Sequence, residues 1–247
     1  MPTAVLVVQH EPECPPGLVG TWLEEARVPL DVRRPYAGES LPAILADHGG
    51  LVVLGGHMGA NDDGAYPWLG PTKALIRDAA ATGTPALGIC LGHQLAAVAL
   101  GGEVRLNPAG YRRGVLDMGW RPEAASDPVV GGCGPRAVLW HHDVVTRAPT
   151  GTGELGRAET GELLAARFAP TVWGVQCHPE ADATIVARWA ARGRAEAGED
   201  PVEIARIDAA ERDVGVADAQ LRTGWRPLVE GFVAQLEPRG LRSSRNN

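Results

Sequence analysis

Residues 85–95 read Pro85-Ala86-Leu87-Gly88-Ile89-Cys90-Leu91-Gly92-His93-Gln94-Leu95, and they decide the fold. A short apolar run ends in Gly88-Ile89-Cys90-Leu91-Gly92, and an Ala/Leu-rich segment follows at once to Leu100. That pattern is a strand, one abrupt turn and a helix. The Gly-x-Cys-x-Gly pentad is the cysteine counterpart of the nucleophile elbow, in which a reactive side chain sits on a tight, strained turn. Side chains at positions 88 and 92 would crowd the point where strand and helix meet, which accounts for the two glycines. Cys90 then stands at a helix N-terminus, where unpaired N–H groups favour thiolate over thiol. A free cysteine is more often a small buried hydrophobe. Here the glycine bracket and the change of structure at one residue argue for a nucleophile.

Outward from the elbow, residues 4–8 and 51–54 are continuous apolar runs, the pattern of strands buried on both faces of a parallel sheet. Gln9-His10-Glu11-Pro12 closes the first as a loop, and Gly55-Gly56 follows the second. Helices are expected at 17–26, 41–47 and 72–82 and from the elbow to Leu100, with a short strand at 30–33 and a long loop at 57–71. Strands are expected at 103–106, 114–118 and 137–140. A hairpin pair at 163–168 and 172–176 runs into Cys177-His178-Pro179-Glu180. A helix at 184–194, a break at Gly198-Glu199-Asp200-Pro201 and two amphipathic helices at 202–214 and 225–236 complete the pattern. Strands alternating with helices predict an α/β fold with a mostly parallel central sheet and helices on both faces. Residues 1–240 are read as one domain and 241–247 as a frayed tail. Function in such folds collects at the carboxyl ends of strands, and Gly55-Gly56, Cys90 and His178 all fall on that edge.

Composition bounds the function class. The chain of 247 residues carries a formal net charge of −7 and no dense Lys/Arg block before Arg239, Arg242 and Arg245, so no nucleic-acid partner is expected. No apolar run approaches the roughly 20 residues needed to cross a bilayer, and no leader segment is expected, since the N-terminus goes directly into an apolar strand. Cys14, Cys90, Cys133 and Cys177 are widely spaced with no C-x-x-C pair, which favours a reducing cytoplasm over disulfide stapling.

A cysteine nucleophile needs a base, and the base needs an orienting partner. His178 and Glu180, stiffened by the intervening Pro179, offer both. The tetrahedral oxyanion of acyl transfer needs donors. The Leu91 N–H, just after the nucleophile, is the default one, and Gly55-Gly56 can supply a second because glycine lets backbone approach a ligand closely. His141, His142, Asp143 and His178 fit no trusted zinc spacing, so no metal and no cofactor are expected. His10 and Trp68 are read as a loop histidine and a core-capping tryptophan near the pocket edge. Cys177 should face away from His178 into the core, and Cys133, in a glycine-rich loop, lacks the charges that would activate it.

Gly88-Ile89-Cys90-Leu91-Gly92-His93-Gln94, Leu54-Gly55-Gly56 and His178-Pro179-Glu180 together resemble the class I glutamine amidotransferases, and the resemblance runs from about Ala4 to Leu236. Within the family the chain looks most like stand-alone proteins related to the amidotransferase domain of GMP synthase. The resemblance implies a flavodoxin-like domain, a Cys90–His178–Glu180 triad, and Gly56 and Leu91 amides as the oxyanion hole. It implies a γ-glutamyl thioester on Cys90, ammonia released to a synthetase partner or to water, and glutamate. Gln94 matches the family glutamine near the substrate's amino-acid end. Trp140-His141-His142-Asp143 resembles a Trp-His-Gly-Asp segment, which makes Asp143 a partner for the α-ammonium. His142 stands where relatives usually carry glycine, and His57 where proline is more usual after Gly-Gly. With the same triad, γ-glutamyl conjugates are the alternative substrate, decided by the room that the 57–71 loop leaves for the leaving group; a latent protein dependent on a partner is the alternative to turnover.

Overall fold

The computed structural model describes residues 3–236, so the frayed tail expected at 241–247 lies outside the described residues. The strands are β1 (Val5–Val8), β2 (Leu30–Arg33), β3 (Gly50–Val53), β4 (Ala86–Ile89), β5 (Glu103–Leu106), β6 (Arg112–Asp117), β7 (Arg136–His141), β8 (Asp143–Arg147), β9 (Gly153–Arg157), β10 (Leu163–Ala169) and β11 (Val172–Val175). The α-helices are α1 (Gly17–Glu25), α2 (Leu69–Thr82), α3 (Leu91–Ala99), α4 (Ala183–Ala197) and α5 (Pro201–Gln235).

Seven strands form the central sheet in the order β2-β1-β3-β4-β11-β10-β9, and the first five are mutually parallel. The start of this order, 2-1-3-4, is that of flavodoxin-like sheets. The antiparallel hairpin β10–β11 and the edge strand β9 extend it. Two short antiparallel ribbons, β5–β8 and β6–β7, are built beside it.

The apolar runs bury both faces by strand periodicity. Val5 and Val7 of β1 pack in one core with α1, α4 and α5; Leu6 and Val8 pack in the other with α2 and α3. Because β3, β4 and β11 are in parallel register, with Val53 opposite Gly88 and Ile89 opposite Val175, they end at one level. Three loops therefore leave the sheet side by side: Leu54-Gly55-Gly56, the Cys90 turn and Gln176-Cys177-His178.

Four expectations are corrected. Residues 41–47 form turns and no helix; the segment is pinned instead by Leu45, buried against the core, whose N–H donates to Asp78 Oδ2 of α2 at 2.8 Å. The two C-terminal helices are one, α5, because Ile207, Ala210, Val214, Leu221, Trp225, Leu228 and Phe232 continue a single helical stripe through the interval read as a break. Strands β8 and β9 were not expected: β9 is a half-buried edge strand with glycine at two of its five positions, which hides its alternation. Finally, α2 begins three residues earlier than expected, inside the stretch read as loop. Among the described residues no helix is long and apolar enough to cross a membrane.

Candidate active site

The elbow at Cys90 is built as a steric lock. A Cβ on Gly88 would lie 2.3 Å from the Gly92 carbonyl oxygen, and one on Gly92 would lie 2.1 Å from that of Val53. These are closer than any side chain can stand, so both glycines are required for α3 to pack on β3 and β4. Cys90 itself takes φ 50° and ψ −103°, a positive φ that a non-glycine residue holds only when its surroundings enforce it. The Cys90 N–H donates to the Val175 carbonyl at 2.8 Å, which ties the turn to the end of β11. The first turn of α3 starts at Leu91, whose N–H has no intrahelical acceptor.

His178 and Glu180 follow β11 on a turn held from three sides. The His178 N–H donates to the Val138 carbonyl of β7 at 2.8 Å. The Glu180 carbonyl accepts from the Leu18 N–H at 2.9 Å, and a Cβ on Gly17, which has φ +48°, would lie 2.1 Å from that same oxygen. The start of α1 therefore needs glycine in order to hold Glu180. Side chain to side chain, His178 Nδ1 lies 2.7 Å from Glu180 Oε1, both groups almost wholly buried. His178 Nε2 has no partner in the protein. It faces the sulfur side of the site: a Cβ on Gly55 would lie 3.0 Å from His178 Cε1 and 3.6 Å from Cys90 Cβ, so glycine there leaves room for the two to meet.

Electrostatics favour a charged His178. Burial pushes its pKa down, but the neighbouring Cys90 and Glu180 outweigh burial and hold it well above the ordinary histidine value. The other buried histidines show what burial does alone: His141 is lowered to about 3 and His93 to about 4. Cys14 and Cys177 are raised by burial as protonated thiols, and Cys133 is pushed up to about 12. Cys177 lies fully in the core, as expected.

Sequence reasoning passed over Gln176. Its Nε2 donates to Cys90 Sγ at 3.6 Å, and its Oε1 accepts from Gln94 Nε2 at 3.2 Å. Gln94 Nε2 also donates to the Asp143 carbonyl at 2.9 Å. Both donors of Gln94 are thus engaged inside the protein, which leaves its Oε1 for the cavity. His10 is buried and accepts from Trp68 Nε1 at 3.1 Å, and neither residue lines the cavity.

The cavity above Cys90 has a volume of about 540 Å³ and is lined by Gly56, Cys90, Gln94, His142, Asp143 and His178 among others. Of the expected residues, Gly55 lies beneath the cysteine–histidine pair, and the Leu91 side chain points into the opposite core. Asp143 is half-buried; burial and the nearby Asp62 raise its pKa, while His142 opposes them. His57 Nδ1 lies 2.6 Å from Glu11 Oε2, which Arg192 approaches at 3.3 Å and whose other oxygen accepts from the Cys14 thiol at 3.3 Å. His141 and His142 point apart: both nitrogens of His141 are buried without a partner, while His142 stacks on Tyr111 at 4.4 Å. Their divergence gives no shared position for a metal ion.

Comparison with known proteins agrees with this geometry. The family model described as glutamine amidotransferase class-I matches residues 22–187. Over 102 residues the chain is 43% identical to a glutamine-hydrolyzing GMP synthase of Symbiobacterium thermophilum, a match covering 40% of this chain and 19% of that protein. Over 105 residues it is 39% identical to one separately encoded component of the glutamine-hydrolyzing GMP synthase of Methanosarcina barkeri, covering 40% of this chain and 52% of that one. The matched part thus spans about half of the Methanosarcina protein and a fifth of the longer synthase. A crystal structure of a glutamine amido transferase from Methylobacillus flagellatus superposes with a TM-score of 0.84 at 29% identity, over 97% of this chain and 98% of that one.

Proposed function

Because this chain belongs to the class I glutamine amidotransferase family, whose model spans residues 22–187, we propose that it hydrolyses the γ-amide of glutamine through a thioester on Cys90. The observation that carries the reading is the buried His178–Glu180 pair at 2.7 Å, set against a cysteine on a positive-φ elbow.

Cys90 gives its proton to His178 and attacks the γ-carbonyl carbon as thiolate. Glu180 holds the imidazole from Nδ1 and stabilises the imidazolium. The amides of Leu91 and Gly56 receive the oxyanion. Its collapse breaks the C–N bond as His178 returns the proton to nitrogen, and ammonia leaves. Water, deprotonated by the same histidine, then opens the thioester to glutamate. Asp143 and the free Oε1 of Gln94 take the α-ammonium, an assignment supported by the raised Asp143 pKa, which a cation would relieve. His142 lies beside them, and Gly55 leaves space for the nucleophile and base. The reaction needs no cofactor. The Methanosarcina relative, named as one component of a GMP synthase, supports a synthetase partner that receives the ammonia.

The test is glutamate release from glutamine by the wild type beside Cys90→Ala. Release that disappears in the variant supports the proposal; equal release from both overturns it.

A further inference from the structure

The cavity is larger than a side-chain amide requires. Its volume of about 540 Å³ falls within the ~300–1,000 Å³ range of pockets that enclose whole small molecules. In acyl transfer of this kind the histidine hands its proton to the leaving nitrogen. Whatever that nitrogen carries must therefore lie against the surfaces next to His178. Those surfaces are aromatic. Trp189 packs on the His178 ring at 4.5 Å, and Trp140 lies 6.1 Å from Trp189. Beyond them the Arg113 guanidinium lies 5.5 Å from the Trp140 ring. All of these line the cavity.

Arg113 is the second observation. Its side chain is nine-tenths buried, one edge is paired with Glu203, and its Nε is buried without a partner. A buried N–H with no acceptor is costly unless a ligand satisfies it. Departing ammonia would use neither the indoles nor this donor.

Resting on the γ-glutamyl thioester reading above, we infer that the wall formed by Trp189, Trp140 and Arg113 is a leaving-group subsite for γ-glutamyl dipeptides whose second residue is aromatic. The ring of that residue packs on the indoles at the offset or edge-on spacings such pairs prefer. Its carboxylate accepts from Arg113. The step balances as before: the C–S bond to Cys90 forms, the peptide C–N bond breaks, and the proton from His178 goes to the amine of the departing amino acid. Water then supplies hydroxide to the acyl carbon and a proton to the histidine, which releases glutamate.

The experiment measures kcat/KM for γ-glutamyl-phenylalanine, γ-glutamyl-glycine and glutamine in the wild type, Cys90→Ala, Trp140→Ala and Trp140→Phe. The wild type should prefer the phenylalanine dipeptide over the glycine one by about tenfold or more, the scale of one buried aromatic contact. That ratio should collapse toward one in Trp140→Ala and survive in Trp140→Phe. Trp140→Leu removes the ring while keeping bulk, and takes the place of the alanine variant should that fail to fold. A wild-type ratio near one, or a ratio untouched by removal of the Trp140 ring, overturns the inference. Cys90-dependent hydrolysis of glutamine without turnover of either dipeptide sinks the subsite and leaves the amidotransferase reading standing. No Cys90-dependent release from any of the three sinks both.

Discussion

Cys90 is held in a conformation that its own side chain disfavours, and the residues around it explain why it persists. Gly88, Gly92 and the Cys90–Val175 hydrogen bond leave the turn no other path. Gly92→Ala should therefore act on the fold as well as the site. Its Cβ would sit 2.1 Å from a backbone oxygen, so a large drop in soluble, cooperatively unfolding protein is expected, checked by circular dichroism and urea melts. Cys90→Ser keeps the glycines and should leave the melt near wild type while activity on glutamine disappears. At the base, His178→Ala should cost roughly 10²–10⁴-fold in kcat, the usual contribution of a positioned general base. Glu180→Gln should cost less than that. It also removes one of the two groups that raise the His178 pKa, so the imidazole should titrate at lower pH in that variant, which NMR of the ring protons would read. An unchanged titration would mean that Glu180 orients the ring without stabilising its charge.

At the scale of elements, α5 is the largest single contribution to the core on its side of the sheet. Its 35 residues start at an Asp200 N-cap whose side chain accepts from the Val202 and Glu203 N–H groups. Asp200→Ala should lose about 1 kcal/mol, the usual value of such a cap. Trp225 is a different case: it is fully buried, and its Nε1 donates to the Arg136 carbonyl at 2.8 Å. Trp225→Ala should lose about 3–5 kcal/mol, as large-to-small changes of buried aromatics do. Urea unfolding of the two variants compares them directly. If the cap variant lost as much as the core variant, α5 would be held by its terminus rather than by its stripe. Continuity of α5 also depends on contacts far away in sequence: Gly224 packs on Gly134, and a Cβ on Gly231 would strike Pro128 and Val129. Those glycines look like helix breaks when only local propensity is weighed. They are close-approach positions.

For the whole molecule, three buried histidines make folding sensitive to acid. His10 and His141 are lowered by burial to about 3 and His93 to about 4. In the unfolded chain each titrates near 6.5. Above about pH 6.5 both states are neutral at these sites and pH has no effect through them. Below it the unfolded chain takes up protons that the folded one refuses, so stability falls as pH falls from about 6.5 toward 4 and below. Each histidine contributes a slope of about 1.4 kcal/mol per pH unit within that window. His178 acts in the opposite sense. Its folded pKa is raised, so its contribution is complete below about 6.5 and is lost as pH rises through the folded value. Urea midpoints measured from pH 8 to pH 4 should decline steeply on the acid side. Replacing His141 by Gln should flatten that decline; an unchanged slope would show that the buried carboxylates carry it.

Local chemistry in the chain was enough for much of this. The elbow at Cys90, the apolar runs at 4–8 and 51–54 and the hairpin into His178 are short-range patterns, and strand periodicity together with glycine sterics makes them legible without knowing what lies opposite. They determine the parallel core of the sheet, and with it the edge where Cys90 and His178 meet. What tertiary structure alone decided has partners distant in sequence. Residues 41–47 lose a helix to an anchor on Asp78, β8 and β9 exist only through pairing with β5 and β10, and α5 runs through its glycines because other backbone lies against them. Gln176 and Arg113 belong to the same class. An amide within reach of a sulfur 86 positions away, or a guanidinium whose Nε lacks an acceptor, is a property of packing. Burial and distance have no signature in a linear chain.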